Sequence, residues 1–245
     1  MMSIVEEMAG KYRLSTEDTF NAIETGARAA LEYAYKNMVM SVCLTPEGRL
    51  QIHGRDKQGR TERIIPLSEL SSRLIRQIHF RIEQDLQRRQ VMYEYPLLLE
   101  WRGEVVMGEI LKINHGTSIL LELSLPQPFG PAEKILGRCL WRHVSISDRA
   151  HLVVGLDRAV IVTGVIPVTE KGAYRVSFAV SRQSKELPEK LLKRHTNRSD
   201  ITCVRRMAGV LSDIEVTKPL PKDVIKSVAA ELQERIRVHV RKKKN

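Results

Sequence analysis

A tryptophan among basic residues is the most informative chemical combination in this sequence. The run Trp141-Arg142-His143 follows Arg138 by three residues. An indole ring can stack on a nucleotide base while a neighbouring cation contacts phosphate, and a stacked base contributes about 1–3 kcal/mol to single-strand binding. Burial is the alternative for Trp141, since the alternation of a strand could equally turn its ring inward.

No catalytic motif accompanies these residues. The chain lacks the GxxxxGK[ST], HExxH and GxSxG patterns, and His53 and His79 belong to different predicted elements without a carboxylate partner. A nuclease or other RNA-processing enzyme would need an acidic metal cluster, which the sequence does not offer. We therefore expect a protein that is not an enzyme and that uses no cofactor or metal.

Positive charge increases along the chain. Residues 1–96 hold 14 Lys+Arg and 13 Asp+Glu (+1), residues 97–195 hold 14 and 10 (+4), and residues 196–245 hold 12 and 6 (+6), which together give the net +11. Such an excess favours an anionic partner, and without an amphipathic membrane helix or lipidation signal nucleic acid is a better candidate than a bilayer. For residues 241–244 alone, the alternative to an anionic partner is that their basic side chains are simply solvated.

The N-terminus and the cysteines indicate the compartment. Acidic residues stand where a signal peptide needs cations, and no stretch approaches the roughly 18 apolar residues of a membrane span. Cys43, Cys139 and Cys203 are odd in number and far apart, so we expect them to be reduced and mostly buried. We expect a cytoplasmic protein without a membrane partner.

Residues 1–96 have the pattern of a small α+β domain. A helix is predicted over 16–36 after the capping sequence that starts at Ser15. Strands at 39–44 and 50–55 flank the turn Pro46-Glu47-Gly48, another short strand follows at 63–66, and a second helix is predicted over 67–91.

Residues 97–184 change to short strands separated by turns. Five strands are predicted, at 101–113, 118–123, 134–143, 158–167 and 174–181, which is the number that a small OB-type barrel requires. Gly103 and Gly108 would let the first strand coil around a barrel corner. Lys112, His115 and Arg182 are secondary candidates on the barrel face, and an unrelated β-sandwich is the alternative fold.

Residues 185–245 complete the chain with a small α/β arrangement. A helix is predicted over 185–195 with Leu187, Leu191 and Leu192 inward, followed by strands at 201–205, 213–217 and 235–241 and a helix over 223–233. A β-β-α-β run of this size is too small to fold well alone, so we expect it to pack on the barrel.

This order of units resembles the bacterial transcription elongation and antitermination factor NusA, over about residues 3–241. The segments that carry the resemblance are Phe20–Ala34, the run from Gly103 to Gly108 with Leu111-Lys112-Ile113, and the run from Val154 to Val160 with Val180-Ser181-Arg182. The resemblance implies an N-terminal RNA polymerase-binding domain (1–96), an S1 barrel (97–184) and a KH-like domain (185–245). It also implies two partners, RNA polymerase and nascent single-stranded RNA, with other transcription factors as further candidates.

The KH-like part departs from that family. Residues 204–209, 212–216 and 230–238 are similar to its first KH domain, which makes Arg205 and Arg206 candidate RNA contacts. The GxxG loop, which clamps RNA backbone in KH domains, is missing, and the chain ends where a second KH domain would begin. We expect the barrel and basic side chains to supply the RNA contacts of a degenerate KH domain. A general RNA-binding or ribosome-associated module without polymerase contact is the alternative function.

Overall fold

The computed structural model describes residues 4–45, 48–125, 135–170 and 172–241. Over these residues the chain is a mixed α+β protein with six α-helices and three sheets, which confirms the predicted class. It divides into two compact units. One holds the residues up to Leu97 together with Pro167–Arg175, and the other holds Leu98–Ile166 and the residues from Val176 onward. The three domain ranges given above stay a prediction.

Helices and an antiparallel sheet make up the first unit. In chain order these are α1 (Ile4–Tyr12), α2 (Thr16–Ala34), β1 (Met38–Leu44), β2 (Leu50–Asp56), β3 (Glu62–Ile64) and most of α3 (Ser72–Leu99). The strands pair in the order β1-β2-β3. The predicted hairpin is confirmed, although Pro46 and Glu47 of its turn lie outside the described residues. The first helix, α1, was not predicted.

A capping residue and a close helix approach define α2. The Ser15 hydroxyl accepts a hydrogen bond from the Asp18 backbone N–H at 3.0 Å, as its N-cap position predicts. The buried face of α2 includes Gly26, where an added Cβ would lie 2.6 Å from the Ile82 Cα of α3. Only glycine lets these two backbones approach so closely.

The helix α3 differs from its predicted range of 67–91. It begins at Ser72, after a 3-10 turn at Leu67–Glu69, and it continues through Pro96 to Leu99. Proline removes one backbone hydrogen bond from a helix. The last turn persists because Leu98, which is 2% exposed, is packed in the interior.

The second unit contains a closed five-stranded barrel. Its strands are β4 (Val105–Asn114), β5 (Ser118–Ser124), β6 (Ile135–Leu140), β7 (Asp157–Glu170) and β8 (Ala173–Ser181), of which the tip 167–175 belongs to the first unit. The order around the barrel is β4-β5-β6-β8-β7, β6 and β8 are parallel, and β7 returns to β4. Inward residues such as Ile110, Ile119 and Phe178 are at most 1% exposed and form its core.

Two predicted barrel strands are shorter than expected. The first begins at Val105 rather than at residue 101, because Gly103 adopts a left-handed conformation (φ +89°) in the turn that precedes it. The third ends at Leu140, and Trp141–His143 form a 3-10 turn. Trp141 is therefore not a strand residue, and strand alternation does not decide where its ring points.

The C-terminal part of the second unit is a three-stranded sheet with two helices. Its elements are α5 (Leu187–Thr196), β9 (Thr202–Met207), β10 (Leu211–Val216), α6 (Lys222–Leu232) and β11 (Arg235–Val240), close to the predicted ranges. The sheet order is β11-β10-β9, with β10 parallel to β11 and antiparallel to β9. Leu187, Leu191 and Leu192 are buried as predicted, in a core that also contains barrel residues Ala159 and Ile161.

All three cysteines are free. Cys139 and Cys203 are buried and Cys43 is exposed, which agrees with the expectation that the cysteines are mostly buried. Cys43 alternates with the buried Val42 along β1 and so faces away from the core. Burial raises the pKa of the Cys139 thiol to about 12, and burial also raises the pKa of the Cys203 thiol. Both buried thiols are therefore protonated at neutral pH.

Candidate nucleic-acid interface

The turn after β6 brings Trp141 next to the turn between β4 and β5. The backbone N–H of Trp141 donates to the Thr117 carbonyl oxygen at 2.9 Å, and the Thr117 N–H donates to Asn114 across the β4–β5 turn. The positive φ of Gly116 (+76°) allows that turn to be tight. These hydrogen bonds hold two separate segments of the barrel together at one end of β4, β5 and β6.

Two side chains contact the indole ring of Trp141. His115 meets it edge-on, with the ring centroids 5.6 Å apart and the planes at 72°. The Cζ atom of Arg149 lies 5.0 Å from the indole centroid, a cation–π contact. Trp141 is only partly buried. The indole is thus held by its neighbours and still has surface that a ligand can reach.

Arg149 is a site residue that sequence reasoning missed. Its Nη2 donates to the Trp141 carbonyl oxygen at 2.8 Å and its Nε donates to the Val144 carbonyl oxygen at 3.2 Å. These bonds fix the turn that carries Trp141, so Arg149 positions the ring. The sequence did offer a signal, since Ser145-Ile146-Ser147-Asp148 has the capping pattern of a helix start. Arg149 ends the short helix α4 (Ile146–Arg149) that follows this cap.

Further cations lie close in sequence to this aromatic pair. Lys112 of β4 and Arg138 of β6 both pair with Leu120 of β5, so their side chains share the outer face of the barrel, and both are exposed. Arg142 is exposed beside the ring, whereas His143 is partly buried. Lys112 and Arg142 form no ion pair within the described residues. Guanidinium and ammonium groups of this kind suit phosphate.

Arg182 is not on the barrel face, and that expectation is wrong. Its side chain is 2% exposed and lies in an ion pair with Asp148 and a second one with Glu231, whose nearest oxygen is 2.9 Å away. The remaining N–H groups donate to the carbonyl oxygens of Ala159 and Glu231. Burial opposes the charged guanidinium, but the two carboxylates outweigh burial and raise the pKa of Arg182. This residue joins the barrel to α6 and cannot contact RNA directly.

The predicted pair Arg205 and Arg206 splits into two different roles. Arg205 is exposed on β9. The Arg206 side chain is 3% exposed and pairs with Glu234, which is fully buried and also accepts hydrogen bonds from the Ser212 hydroxyl and the Gly209 backbone. A direct RNA contact by Arg206 is therefore wrong, because its charge is used inside the fold.

The eight predicted site residues thus divide by location. Trp141, Arg142 and His143 share one turn, His115 contacts the indole, and Lys112 lies on the adjoining outer face. The other three lie elsewhere: Arg182, Arg205 and Arg206. No group of three or more His, Cys, Asp or Glu side chains suited to a metal occurs within the described ranges.

Comparison with known proteins adds no relative. No family model matches the chain, and no curated protein matches it. Among the helices described, none is long and apolar enough to cross a membrane.

Proposed function

We propose that this protein is a NusA-like transcription factor in which the barrel binds nascent single-stranded RNA and residues 1–96 bind RNA polymerase. In this proposal the barrel is an S1 domain of the OB type, and the C-terminal sheet with its helices is a degenerate KH domain. RNA is held without covalent chemistry, by stacking and by contacts between cations and phosphates.

The position of the Trp141–His115 pair is the observation that carries the RNA-binding part. OB folds bind oligonucleotides on the face of their second and third strands and on the loop between the first two. In this barrel those elements are β5, β6 and the β4–β5 turn, which carries His115. Trp141 directly follows β6, and Lys112 and Arg138 lie on the outer face beside it. Aromatic rings and cations therefore occur where an OB barrel would use them.

The polymerase part rests on the resemblance of the first domain to the NusA family. A protein that only bound RNA would have no use for residues 1–96, which are nearly neutral (+1) and fold into α1, α2, a separate sheet and most of α3. The first unit also exposes large apolar residues on its strands, including Val39 (55% exposed) and Ile64 (69% exposed).

RNA binding is tested by fluorescence anisotropy on one short single-stranded RNA. Trp141→Ala combined with Arg142→Ala should weaken binding by about 2–4 kcal/mol, roughly 30-fold to 1000-fold, because a stacked base and a phosphate contact are lost together. The matched control is Lys222→Gln with Lys226→Gln, which removes two charges from the exposed surface of α6.

A second variant separates stacking from folding. Trp141→Phe keeps an aromatic ring and should retain most of the affinity. A large loss of fold stability in the Trp141→Ala variant would instead identify the indole as a core residue, and the stacking role would be withdrawn. Equal affinities of the Trp141/Arg142 double variant and the wild type would contradict RNA binding at this turn.

Polymerase binding is tested by capture of purified core RNA polymerase on the tagged full-length protein. We expect capture by the wild type and unchanged capture by the Trp141/Arg142 double variant, because the two partners use different parts of the chain. RNA binding without any polymerase capture would favour the general RNA-binding or ribosome-associated module instead.

A further inference from the structure

The C-terminal sheet has one face covered by helices and one open face. Apolar residues of α5 and α6 pack against inward side chains such as Ile214 and Val238. Every second side chain of each strand points away from the helices. The strand register places these outward side chains next to one another across the three strands. Arg205 and Arg237 flank Asp213 on the neighbouring strands, and the next outward row contains Met207, Leu211 and Arg235. All three arginines are exposed.

The acids on this open face already have basic neighbours. Glu215 is paired with Arg241, and the Asp213 carboxylate lies 3.7 Å from the His239 imidazole. Arg205, Arg235 and Arg237 have no carboxylate within 4 Å in the described part of the chain. Four outward arginines against two acids give this face a net charge of +2 (4 − 2), without counting His239.

Arg235 and Arg237 also border a concave surface. An open cavity of about 440 Å³ is lined by Val210, Leu211, Gln233, Glu234, Arg235 and Arg237. Arg235 and Arg237 are alternate residues of one strand, so their Cα atoms are about 6.7 Å apart. This spacing is close to that of successive phosphates in an extended single strand. Arginine is also the side chain best suited to phosphate recognition.

Gly209, which is next to the cavity residue Val210, contacts the segment that follows the Trp141 turn. Gly209 immediately precedes Val210, and an added Cβ at Gly209 would lie 2.5 Å from the Ser145 hydroxyl oxygen. Ser145 lies three residues after Arg142. The turn between β9 and β10 is therefore in contact with the segment that leaves the Trp141 turn, and both surfaces belong to the second unit.

We propose that the open face of the C-terminal sheet is a second site for single-stranded RNA, at which Arg205, Arg235 and Arg237 contact phosphates of the strand that the barrel holds. This inference rests on the proposed RNA binding by the barrel. The C-terminal sheet would then bind RNA on the face opposite α6. On the α6 side no GxxG loop is available, since no glycine occurs between Val216 and Arg235.

RNA length separates the two sites in an experiment. Anisotropy is measured with full-length protein and single-stranded RNAs of about 5 and about 15 nucleotides, near the limits of what one OB barrel occupies. Arg235→Gln combined with Arg237→Gln should weaken binding of the longer RNA about tenfold and leave the shorter RNA unaffected. The salt slope for the longer RNA should fall by about 1.4, or 0.7 for each lost phosphate contact. Lys222→Gln with Lys226→Gln is the control of equal charge on the opposite side of the sheet.

Three results would overturn the inference, and they point to different failures. If the Arg235/Arg237 variant binds the longer RNA like wild type while the Trp141/Arg142 variant is impaired, the sheet is not a site and the barrel still is. If the Arg235/Arg237 variant loses affinity equally for both lengths, the sheet does not extend the barrel site. If the wild type binds neither RNA at low salt, the proposed RNA binding fails as a whole.

Discussion

Replacing Arg182 by methionine should destabilise the second unit by about 3–5 kcal/mol, the usual cost of removing one partner from a buried ion pair. All five N–H donors of this guanidinium are used, by the carboxylates of Asp148 and Glu231 and by the carbonyl oxygens of Ala159 and Glu231. Methionine fills a similar volume but offers no donor. The Asp148 carboxylate, which is 4% exposed, would then be buried without a cation.

The two carboxylates should not contribute equally to this loss. Glu231 keeps the Ala159 backbone N–H at 2.8 Å and Arg158 at 3.4 Å when Arg182 is removed, whereas no other cation is paired with Asp148 among the described residues. The stranded Asp148 therefore accounts for most of the cost. Arg182→Lys, which keeps the charge but offers three donors in place of five, should fall between methionine and the wild type.

Tryptophan fluorescence during urea unfolding measures this stability directly. Both tryptophans of the chain, Trp101 and Trp141, belong to the second unit, so the signal reports on the unit that contains the network. Arg142→Met changes an exposed arginine and should alter stability by less than about 0.5 kcal/mol. Combining Arg182→Met with Asp148→Asn should cost less than the sum of the two single changes by at least about 1 kcal/mol. A loss below 1 kcal/mol for Arg182→Met, or strict additivity, would refute the reasoning.

Four further predictions concern helix packing, thiol reactivity, the pH dependence of stability and the salt dependence of RNA binding. Gly26→Ala should destabilise the first unit by about 1–3 kcal/mol, because the new Cβ would collide with the α3 backbone. Gly10→Ala should stabilise this unit by about 0.5–1 kcal/mol, because its new Cβ has no atom within 4 Å. Circular dichroism during unfolding measures both changes. In the native protein a thiol reagent should modify Cys43 alone, with Cys139 and Cys203 reacting only after unfolding. Because the pKa of Cys139 is raised to about 12 in the folded protein, its contribution to stability is complete below about pH 9 and should be lost as the pH rises from 9 to 12. The Cys139→Ala variant should not show this pH dependence. RNA affinity should fall with salt at a slope of about −0.7 for each phosphate contact, and a flat response would remove the role given to the basic C-terminal two thirds.

Local patterns were sufficient to predict most elements of this fold. The capping sequence at Ser15 predicted α2, short runs bounded by turn residues predicted the strands of all three sheets, and the leucine spacing in 185–195 predicted the buried face of α5. The two short helices α1 and α4 were not predicted, and the other errors fell at element ends, where tertiary packing decides. Pro96 is the clearest case: its local preference ends a helix, but the burial of Leu98 allows α3 to continue.

The candidate site was harder to predict, because its geometry depends on residues that are distant in sequence. The partners of Arg182 lie 34 and 49 residues away, and nothing in a local pattern shows that Asp148 and Glu231 converge on it. Its place directly after a predicted barrel strand and its basic residue type made Arg182 a candidate on the barrel face. By contrast, His115 and Trp141 were both found from their residue types, and the structure adds the contact between them.

Arg206 determines how the RNA contribution of the C-terminal sheet has to be measured. Its guanidinium pairs with the fully buried Glu234, so Arg206→Ala would leave that carboxylate unpaired at a cost of about 3–5 kcal/mol. Replacing Arg205 and Arg206 together would therefore combine a loss of fold stability with any loss of RNA contacts, and RNA affinity alone would not separate the two. Arg205→Ala alone removes an exposed side chain and should weaken RNA binding by about 1 kcal/mol or less, well below the loss from the Trp141/Arg142 double variant. If anisotropy on one oligonucleotide at one salt concentration gave the reverse order, with the variants equally folded, the sheet and not the barrel would be the principal RNA site.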